Sequence, residues 1–482
     1  VQTALFLLLT PWIIHQLGAE SFAIWSLLLA TAGLLSLVDL GFSSAVMKFV
    51  AEARGSGRAD DARETTATMF WAFNGLAVVL LVLAALLIEP LPRWLDLPPE
   101  QWGSIRTVFL LLALRSAQAL PLGIFVGILS AHRRADLSNA IRTAGVSIYA
   151  IAVAAALWIS PSLEVLGWAG FLTSVGTNLG LWAAARTVPD WSLSLRLFRW
   201  DRLWRIVTYT SSLFLTQAAT LLATRVDTII LAAFAPLQTV ALYSVALRVA
   251  DQAGIFSRQP GAALTPLLSE WKGAGNTERL REALQRGTFL VAAGVFPFLF
   301  LGAWFAPDLL VLWVGEEFRA AGLPCRLLLI AAGLGALHQT AENYLLVAGR
   351  HRFASVIIFS GQLFNVGLSL LLVRDFGMTG VAGATLLTAC VVGPILLWRA
   401  ASDLQLTSFL LIYLGGLMSL AAPLMALLGI VGLTNLIGHP VIAMAVAGLI
   451  GLPAYGLLVW RGLSPSERDY YVRRFRRRAS GH

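Results

Sequence analysis

Charge is what this chain has least of. Only 13% of its 482 residues are Asp, Glu, Lys or Arg, about half of the roughly 25% found in soluble domains. Lysine occurs only at Lys48 and Lys272, and neither stands in a GxxxxGK(S/T) loop, which excludes a built-in ATPase of the P-loop type. Cysteine is nearly absent. Cys325 and Cys390 both lie inside apolar runs, which argues against a disulfide framework or a thiolate metal site and for two small hydrophobes. The six histidines never form an HExxH pair, so no zincin-type metal centre is visible. No stretch is polar enough and long enough to make a soluble domain.

What the chain does have is hydrocarbon. It is 58% hydrophobic with a mean hydropathy of +0.77, so lipid is the solvent for most of its surface. A membrane span needs about 20 apolar residues. Runs of this kind fall near 1–14, 21–50, 66–88, 104–130, 144–160, 167–187 and 206–233. They continue near 239–266, 288–312, 323–348, 353–373, 379–399, 408–431 and 441–460, fourteen in all. The first is too short to span and reads as the back half of a helix, since it has neither the basic start nor the small-residue site of a signal peptide.

The chain also repeats itself. A shift of 218 positions lays Ala23-Ile24-Trp25-Ser26 on Ala241-Leu242-Tyr243-Ser244. Without a gap, Glu52, Arg54, Gly55 and Gly57 then meet Glu270, Lys272, Gly273 and Gly275, and Asp60, Arg63 and Glu64 meet Glu278, Arg281 and Glu282. The same shift lays Arg134 on Arg352. Symmetry of this kind in an apolar chain is the trace of a transporter built from two related bundles. It predicts an N-lobe over 1–190 (segments 1–6), a C-lobe over 191–403 (segments 7–12), and two further helices with a basic tail over 404–482. Six helices per lobe give the two copies the same orientation.

Basic residues divide unevenly between the loops. Those after even-numbered segments, with the tail, hold Lys or Arg at 26 positions against 5 for the others. The positive-inside rule then places the C-terminus in the cytoplasm. Most of the formal charge of +9 is accordingly topology, not nucleic-acid binding. Arg473–Arg478 serve as a topology anchor or touch anionic lipid heads.

Leu17-Gly18-Ala19-Glu20-Ser21-Phe22-Ala23-Ile24-Trp25, then Asp39-Leu40-Gly41-Phe42 and Val50-Ala51-Glu52, resemble the N-terminal signature of bacterial polysaccharide flippases. Val226-Asp227-Thr228-Ile229-Ile230-Leu231 and Val240-Ala241-Leu242-Tyr243-Ser244 are similar to that family's seventh and eighth helices. The resemblance covers nearly the whole chain. It points to the O-antigen and exopolysaccharide repeat-unit flippases of the multidrug/oligosaccharidyl-lipid/polysaccharide exporter superfamily. This implies an all-α polytopic membrane protein of about fourteen transmembrane helices: two six-helix lobes around a central cavity, plus two C-terminal helices. It implies a multi-pass protein of the bacterial inner membrane that flips undecaprenyl-diphosphate-linked oligosaccharide by alternating access. The partners implied are that lipid-linked substrate, membrane lipids, and glycan polymerase or assembly proteins, with no nucleic acid. No cofactor or metal is implied beyond coupling to Na+ or H+. The chain departs from the pattern where helix 1 should start, so no functional residue is carried over there.

An ionisable side chain at the bilayer centre costs about 2.5–3.5 kcal/mol on insertion scales, so each one needs a reason. Segment 239–266 carries Arg248, Asp251 and Arg258, within about 80° of one another at helical spacing. Segment 206–233 has a matching stripe of Gln217, Thr220, Thr224, Asp227 and Thr228, with Arg225 to one side. Two such stripes predict helices that line a wet cavity. The candidate substrate contacts are Arg248, Asp251, Arg258, Arg225, Gln217, Thr220 and Thr224, with Arg115 from the N-lobe. The blander alternative for Arg248 and Asp251 is a packing ion pair at i and i+3, and for Arg115 a partnership with Asp39. Lys48, near the interface, snorkels. The repeat sets Leu9, Ala30 and Gly33 under Asp227, Arg248 and Asp251. Charges needed by the scaffold would appear in both copies, and these appear in one.

Segment 323–348 holds His338, Gln339, Glu342 and Asn343. His338 and Glu342 stand one turn apart, placed to share a proton or simply a polar contact. Asp227, Asn365 and Thr388 would make an oxygen-ligand sodium site of the kind some related flippases have. Asp60-Asp61 looks like a metal-binding diacid, but its repeat partner is Glu278-Arg279, which favours a solvated loop. The rival transporter reading is a multidrug or cation antiporter of the same superfamily, for which acidic residues deep in the N-lobe would be diagnostic; Asp39 alone is there. A membrane-embedded glycan polymerase or ligase needs a large external loop to hold its acceptor, and the longest here is about 89–103.

Overall fold

Inside hydrocarbon a backbone N–H or C=O that lacks a partner costs several kcal/mol, so a spanning chain must satisfy itself as helix or closed barrel. This chain chooses helix. The computed structural model describes residues 2–35, 42–406, 409–434, 436, 438–463 and 468, and no strand occurs among them. The helices are α1 (Gln2–Leu35), α2 (Phe42–Gly55), α3 (Ala59–Ile88), α4 (Leu91–Trp94), α5 (Trp102–Leu122) and α6 (Ile124–Ala131). Next come α7 (Ala135–Ile159), α8 (Leu163–Ala185), α9 (Trp200–Leu221), α10 (Asp227–Phe234), α11 (Leu237–Gly273) and α12 (Thr277–Trp304). The chain ends with α13 (Ala306–Val314), α14 (Gly322–Val347), α15 (His351–Asp403), α16 (Phe409–Thr434), α17 (Pro440–Val446) and α18 (Leu452–Gly462).

Two of these are broken by glycine. Gly18 interrupts α1 at φ 80°, ψ 163°, between the first two apolar segments of the sequence. Gly377 interrupts α15 at φ 53°, ψ −135°, between the segments at 353–373 and 379–399. Glycine alone takes such angles without a steric clash at Cβ. Among the described residues, 8 helices are long and apolar enough to cross a membrane. That number is smaller than the fourteen apolar segments, partly because α15 counts once. Its 53 residues amount to about 80 Å of helix at 1.5 Å per residue, against a core of about 30 Å.

The chain divides into two compact units. Unit 1 takes residues 1–244 and 358–381. Within it α5 packs against α1, α3 and α8, and α7 against α1 and α8, around the fully buried Phe22, Trp25, Phe109 and Phe125. Unit 2 takes residues 245–357 and 382–482. There α12 packs on α14 and α16, and α16 on α18, with Leu337, Leu420, Leu427, Ala447 and Tyr455 in one apolar cluster.

Each unit contains one copy of the repeated loop, and the two loops have the same backbone. In the first, Ser56 N–H donates to Glu52 O, Gly57 N–H to Arg54 O, and Arg58 N–H to Ala53 O. In the second, Ala274 donates to Glu270, Gly275 to Lys272, and Asn276 to Trp271, each 218 residues on. Gly57 and Gly275 are left-handed at φ 70° and 67°. Arg63 pairs with Asp60 and Arg281 with Glu278, both at 3.5 Å. The next turn corrects the sequence alignment. Arg134 N–H donates to Leu129 O and Arg350 N–H to Leu345 O, both at 2.8 Å, and the left-handed residues are Arg133 and Gly349. Arg134 therefore matches Arg350, not Arg352. The second copy is two residues shorter between the starts of its helices, which an ungapped shift does not register.

The loop next to α3 is also cross-linked by charge. Arg202 donates to Glu64 Oε2 at 2.7 Å and to Asp61, while Arg58 reaches Asp61 at 3.2 Å and Arg199 reaches Glu64 at 3.7 Å. Burial works against the Arg202 charge, but its bonds to Asp61 and Glu64 outweigh that and raise its pKa above the ordinary arginine value. Asp61 thus serves an arginine cluster. No group of three or more His, Cys, Asp and Glu placed to hold a metal occurs among the described residues.

Replacing Gly57 or Gly275 with Ala should each destabilise the protein by about 1–2 kcal/mol, the cost of a left-handed Cβ. Gly55→Ala, at a position with open space and no left-handed angle, should be neutral. Thermal unfolding in detergent measures the difference, and equal effects at Gly55 and Gly57 would contradict it.

Candidate functional site

The polar residues named from sequence fall in both units. Arg115, Gln217, Thr220, Thr224, Arg225, Asp227 and Asn365 belong to unit 1, and Arg248, Asp251, Arg258, His338, Glu342 and Thr388 to unit 2. Asp39 and the basic tail lie outside the described residues, as does the Gln217 side chain.

In unit 1 the polar stripe of the seventh segment sits on a distortion. Between α9 and α10 the chain makes one π-helical turn, Leu222–Val226. Such turns shift side-chain register and recur at functional sites. Thr224 Oγ1 donates back to Thr220 O at 2.9 Å, so its proton is used within the helix. Arg225 projects toward α1, where Gly33 makes room for it. A Cβ on Gly33 would stand 2.9 Å from Arg225 Nε and 3.1 Å from its Cδ. Asp227 opens α10 and is 2% exposed. Tyr243 OH donates to its Oδ2 at 2.9 Å.

Tyr243 was legible in the sequence only as part of an apolar motif, and its role comes from the fold. The repeat holds the signal, however. Tyr243 aligns with Trp25 and Asp227 with Leu9. The copy with the carboxylate is the copy with the phenol, and the other copy has neither.

Arg115 on α5 is half-buried. Its guanidinium carbon is 6.0 Å from the centre of the Tyr149 ring, and Nη1 would be 3.2 Å from a Cβ at Gly170. One turn further along α5, Gln118 Nε2 donates to Ser174 Oγ at 2.8 Å, and Asn178 Nδ2 donates to Gln118 Oε1 at 3.3 Å. Arg115 thus heads a polar seam between α5 and α8 that periodicity did not reveal, because Gln118, Ser174 and Asn178 are uncharged.

In unit 2, Arg248 and Asp251 are half-buried on α11 and Arg258 is exposed. Arg248 and Asp251 each have partners. Glu342 lies on α14, in the same unit as Arg258. Around Glu342, α14 carries a buried polar band. Gln339 Nε2 donates to Asn343 Oδ1 at 3.3 Å, and Thr340 is fully buried. Glycines admit it: a Cβ at Gly261 of α11 would lie 2.4 Å from Gln339 Cγ, and one at Gly393 of α15 would lie 2.6 Å from His338 Nδ1. His338 and Glu342 therefore sit in a packed polar layer. Of the proposed sodium ligands, Asp227 and Asn365 are buried in unit 1 and Thr388 in unit 2, where its hydroxyl donates to Ala384 O at 2.9 Å.

The sequence profile described as "Polysaccharide biosynthesis protein" matches residues 4–272, more than half of the chain. The chain belongs to the polysaccharide biosynthesis protein family. A second profile, MatE, matches residues 213–371. The probable low-salt glycan biosynthesis flippase Agl15 of Haloferax volcanii is 21% identical over 384 residues, 78% of this chain and 76% of that protein. An uncharacterized membrane protein of Methanocaldococcus jannaschii is 25% identical over 194 residues, 40% of this chain, and the match spans 37% of that relative's length. Among solved structures, a multidrug resistance MATE family transporter of the MOP superfamily, inward-facing, superposes with a TM-score of 0.73 at 18% identity. That match covers 85% of this chain and 96% of the transporter. The lipid II flippase MurJ, in an inward closed conformation, gives 0.66 at 13% identity and covers 91% and 96%. Both establish the fold. The chain is thus a member of the polysaccharide biosynthesis family with the fold of these multi-pass membrane proteins.

Tyr243→Phe should lower stability by about 1.5–3 kcal/mol, the range for a hydrogen bond to a charged group. Trp25→Phe, its repeat counterpart, removes no bond to a carboxylate. Asp227→Asn combined with Tyr243→Phe should cost less than the two single changes added together. Denaturation in detergent tests this, and strict additivity would show that the two groups are not coupled.

Proposed function

We propose that this protein flips undecaprenyl-diphosphate-linked oligosaccharide across the bacterial inner membrane by alternating access. The observation that carries the reading is a set of three ionisable side chains on α11, Arg248, Asp251 and Arg258, in a member of the polysaccharide biosynthesis family. A diphosphate is the group for which planar guanidinium forks are suited, because each binds two oxygens together. Asp251, one turn from Arg248, holds the fork when substrate is absent, and the diphosphate competes with it, which permits release. Gln217, Thr220 and Thr224 offer amide and hydroxyl groups that suit sugars, and Arg225 and Arg115 add positive charge. Agl15 and MurJ, whose names describe flippases of glycan biosynthesis and of lipid II, support the class of substrate. The polyprenyl tail stays in lipid, and glycan polymerase or assembly proteins take up the product. Asp227, Asn365 and Thr388 with sodium, or Glu342 and His338 with a proton, couple transport to an ion gradient. The excess of arginines in the loops after even-numbered segments supports a cytoplasmic C-terminus.

A multidrug or cation antiporter is the second reading, favoured by the MatE match over residues 213–371. The two separate on substrate: drug efflux that persists in the absence of lipid-linked glycan would support the antiporter.

Arg248→Ala should leave insertion intact and stop glycan export, so that lipid-linked units accumulate on the inner leaflet. Arg248→Lys should recover part of the activity, because the charge remains and the two-point geometry does not. If Arg248 and Asp251 serve packing alone, Arg248→Ala with Asp251→Ala restores export at normal protein levels, and that result would sink the substrate role. If sodium drives transport, Asp227→Asn abolishes the sodium dependence. Export indifferent to sodium but lost in Glu342→Gln moves the coupling to α14. Reporter fusions after Arg461 should report cytoplasm and those within Phe234–Gln238 periplasm; the reverse overturns the orientation.

A further inference from the structure

Unit 2 contains an apolar groove of about 580 Å³ between α12, α14 and α16. One wall is Phe296, Phe300 and Trp304, spaced four apart on one face of α12. The facing wall is α14 with Gly333, and Leu424 closes the third side from α16. The floor continues into the apolar cluster of unit 2. The volume lies within the roughly 300–1,000 Å³ of pockets that enclose small ligands, and its lining is almost wholly hydrocarbon.

The exception stands at one end. Arg326 lines the groove, is exposed, and is fixed in place by the last turn of α12. Its Nε donates to Ala303 O at 3.0 Å and its Nη2 to Trp304 O at 3.1 Å. Those bonds satisfy carbonyls that the helix end leaves over. A guanidinium has five N–H donors, so three remain available. The first turns of α12 are charged, and its uncharged part, Gly287–Trp304, rises about 27 Å at 1.5 Å per residue, close to the hydrocarbon core of about 30 Å. Its end, with Trp304 and Arg326, therefore falls at the level of lipid headgroups, where tryptophan and arginine belong.

We propose that this groove is a binding site for one anionic phospholipid, with an acyl chain along Phe296 and Phe300 and the phosphate on the remaining donors of Arg326. A groove this apolar does not hold water in a bilayer. A pre-oriented guanidinium at its mouth selects a charged phosphate over a zwitterionic headgroup that carries its own cation. Gly333 keeps the groove open. A Cβ there would make only ordinary contacts, 3.5 Å to Leu299 Cδ1 and 3.8 Å to Phe296 Cε1, so a longer side chain would extend into the space that the acyl chain takes. None of the groove's lining residues is among those assigned to the transported substrate, and the proposal does not depend on that assignment.

The test is native mass spectrometry of the purified full chain, titrated with phosphatidylglycerol and, in parallel, with phosphatidylcholine of the same acyl chains. The unaltered protein should retain one phosphatidylglycerol about tenfold more tightly than phosphatidylcholine, the scale of a charge-assisted hydrogen bond. Arg326→Gln should erase that preference, and Gly333→Leu should lose the site for both lipids. Leu424→Trp fills the groove from the opposite helix, and it carries the test if Gly333→Leu fails to fold. A preference that survives Arg326→Gln, or a lipid retained in folded groove-filled variants, overturns the proposal. So does displacement of phosphatidylglycerol by an equimolar polyprenyl phosphate, which would assign the groove to the tail of a transported lipid.

Discussion

The structure depends on one constraint: a polar group surrounded by hydrocarbon must find its partner inside the protein. This makes the apolar segments of the described chain helical. It also sends hydroxyls back to their own helices, as with Thr224 to Thr220 O, Thr288 to Leu284 O and Thr388 to Ala384 O. The same constraint sorts the remaining polar side chains into groups. Gln118, Ser174 and Asn178 form a seam, Gln339 and Asn343 a pair, and Asp227 meets Tyr243. Glycines stand beside polar side chains too, Gly33 by Arg225, Gly170 by Arg115, Gly261 by Gln339 and Asn343, and Gly393 by His338, because a polar side chain between packed helices needs room as well as partners. Polar chemistry and small residues therefore occur together, although they are far apart in the sequence.

The duplicated architecture separates scaffold from chemistry. What both copies share is turn geometry: the same hydrogen bonds at Gly57 and Gly275, the same ion pair one turn into the next helix, and the same tight turn before α7 and before α15. What they do not share is charge within the apolar segments. Arg248, Asp251 and Asp227 have apolar or small counterparts in the first copy. A fold that keeps its turns and varies its intramembrane charges can change what it binds without rebuilding its frame.

The fold was readable because lipid enforces strong patterns. Apolar runs gave the helices, and the breaks at Gly18 and Gly377 fall between runs. The charged loops located the repeat to the residue, until a two-residue difference between the copies displaced the match of Arg134 from Arg350 to Arg352. The site was less readable. Stripes on single helices can be found from spacing, but Tyr243 with Asp227, Gln118 with Ser174 and Asn178, and Arg115 over Tyr149 each join side chains from different helices. Spacing within one helix carries no information about such pairs. The π-helical turn at Leu222–Val226 left no compositional mark either, since no glycine or proline interrupts it.

The phenol and carboxylate of the second copy also restrict the order in which such a site can be acquired. The first copy has Leu9 and Trp25 where the second has Asp227 and Tyr243. A step from Trp to Tyr alone buries one hydroxyl, at a cost of about 1–3 kcal/mol. A step from Leu to Asp alone buries a charge with no phenol to meet it, which is far costlier. Any path between the two combinations is therefore easier through Leu with Tyr than through Asp with Trp. In this fold a tolerated hydroxyl comes before an ionisable group, and aromatic positions that accept tyrosine mark where a new buried charge can enter.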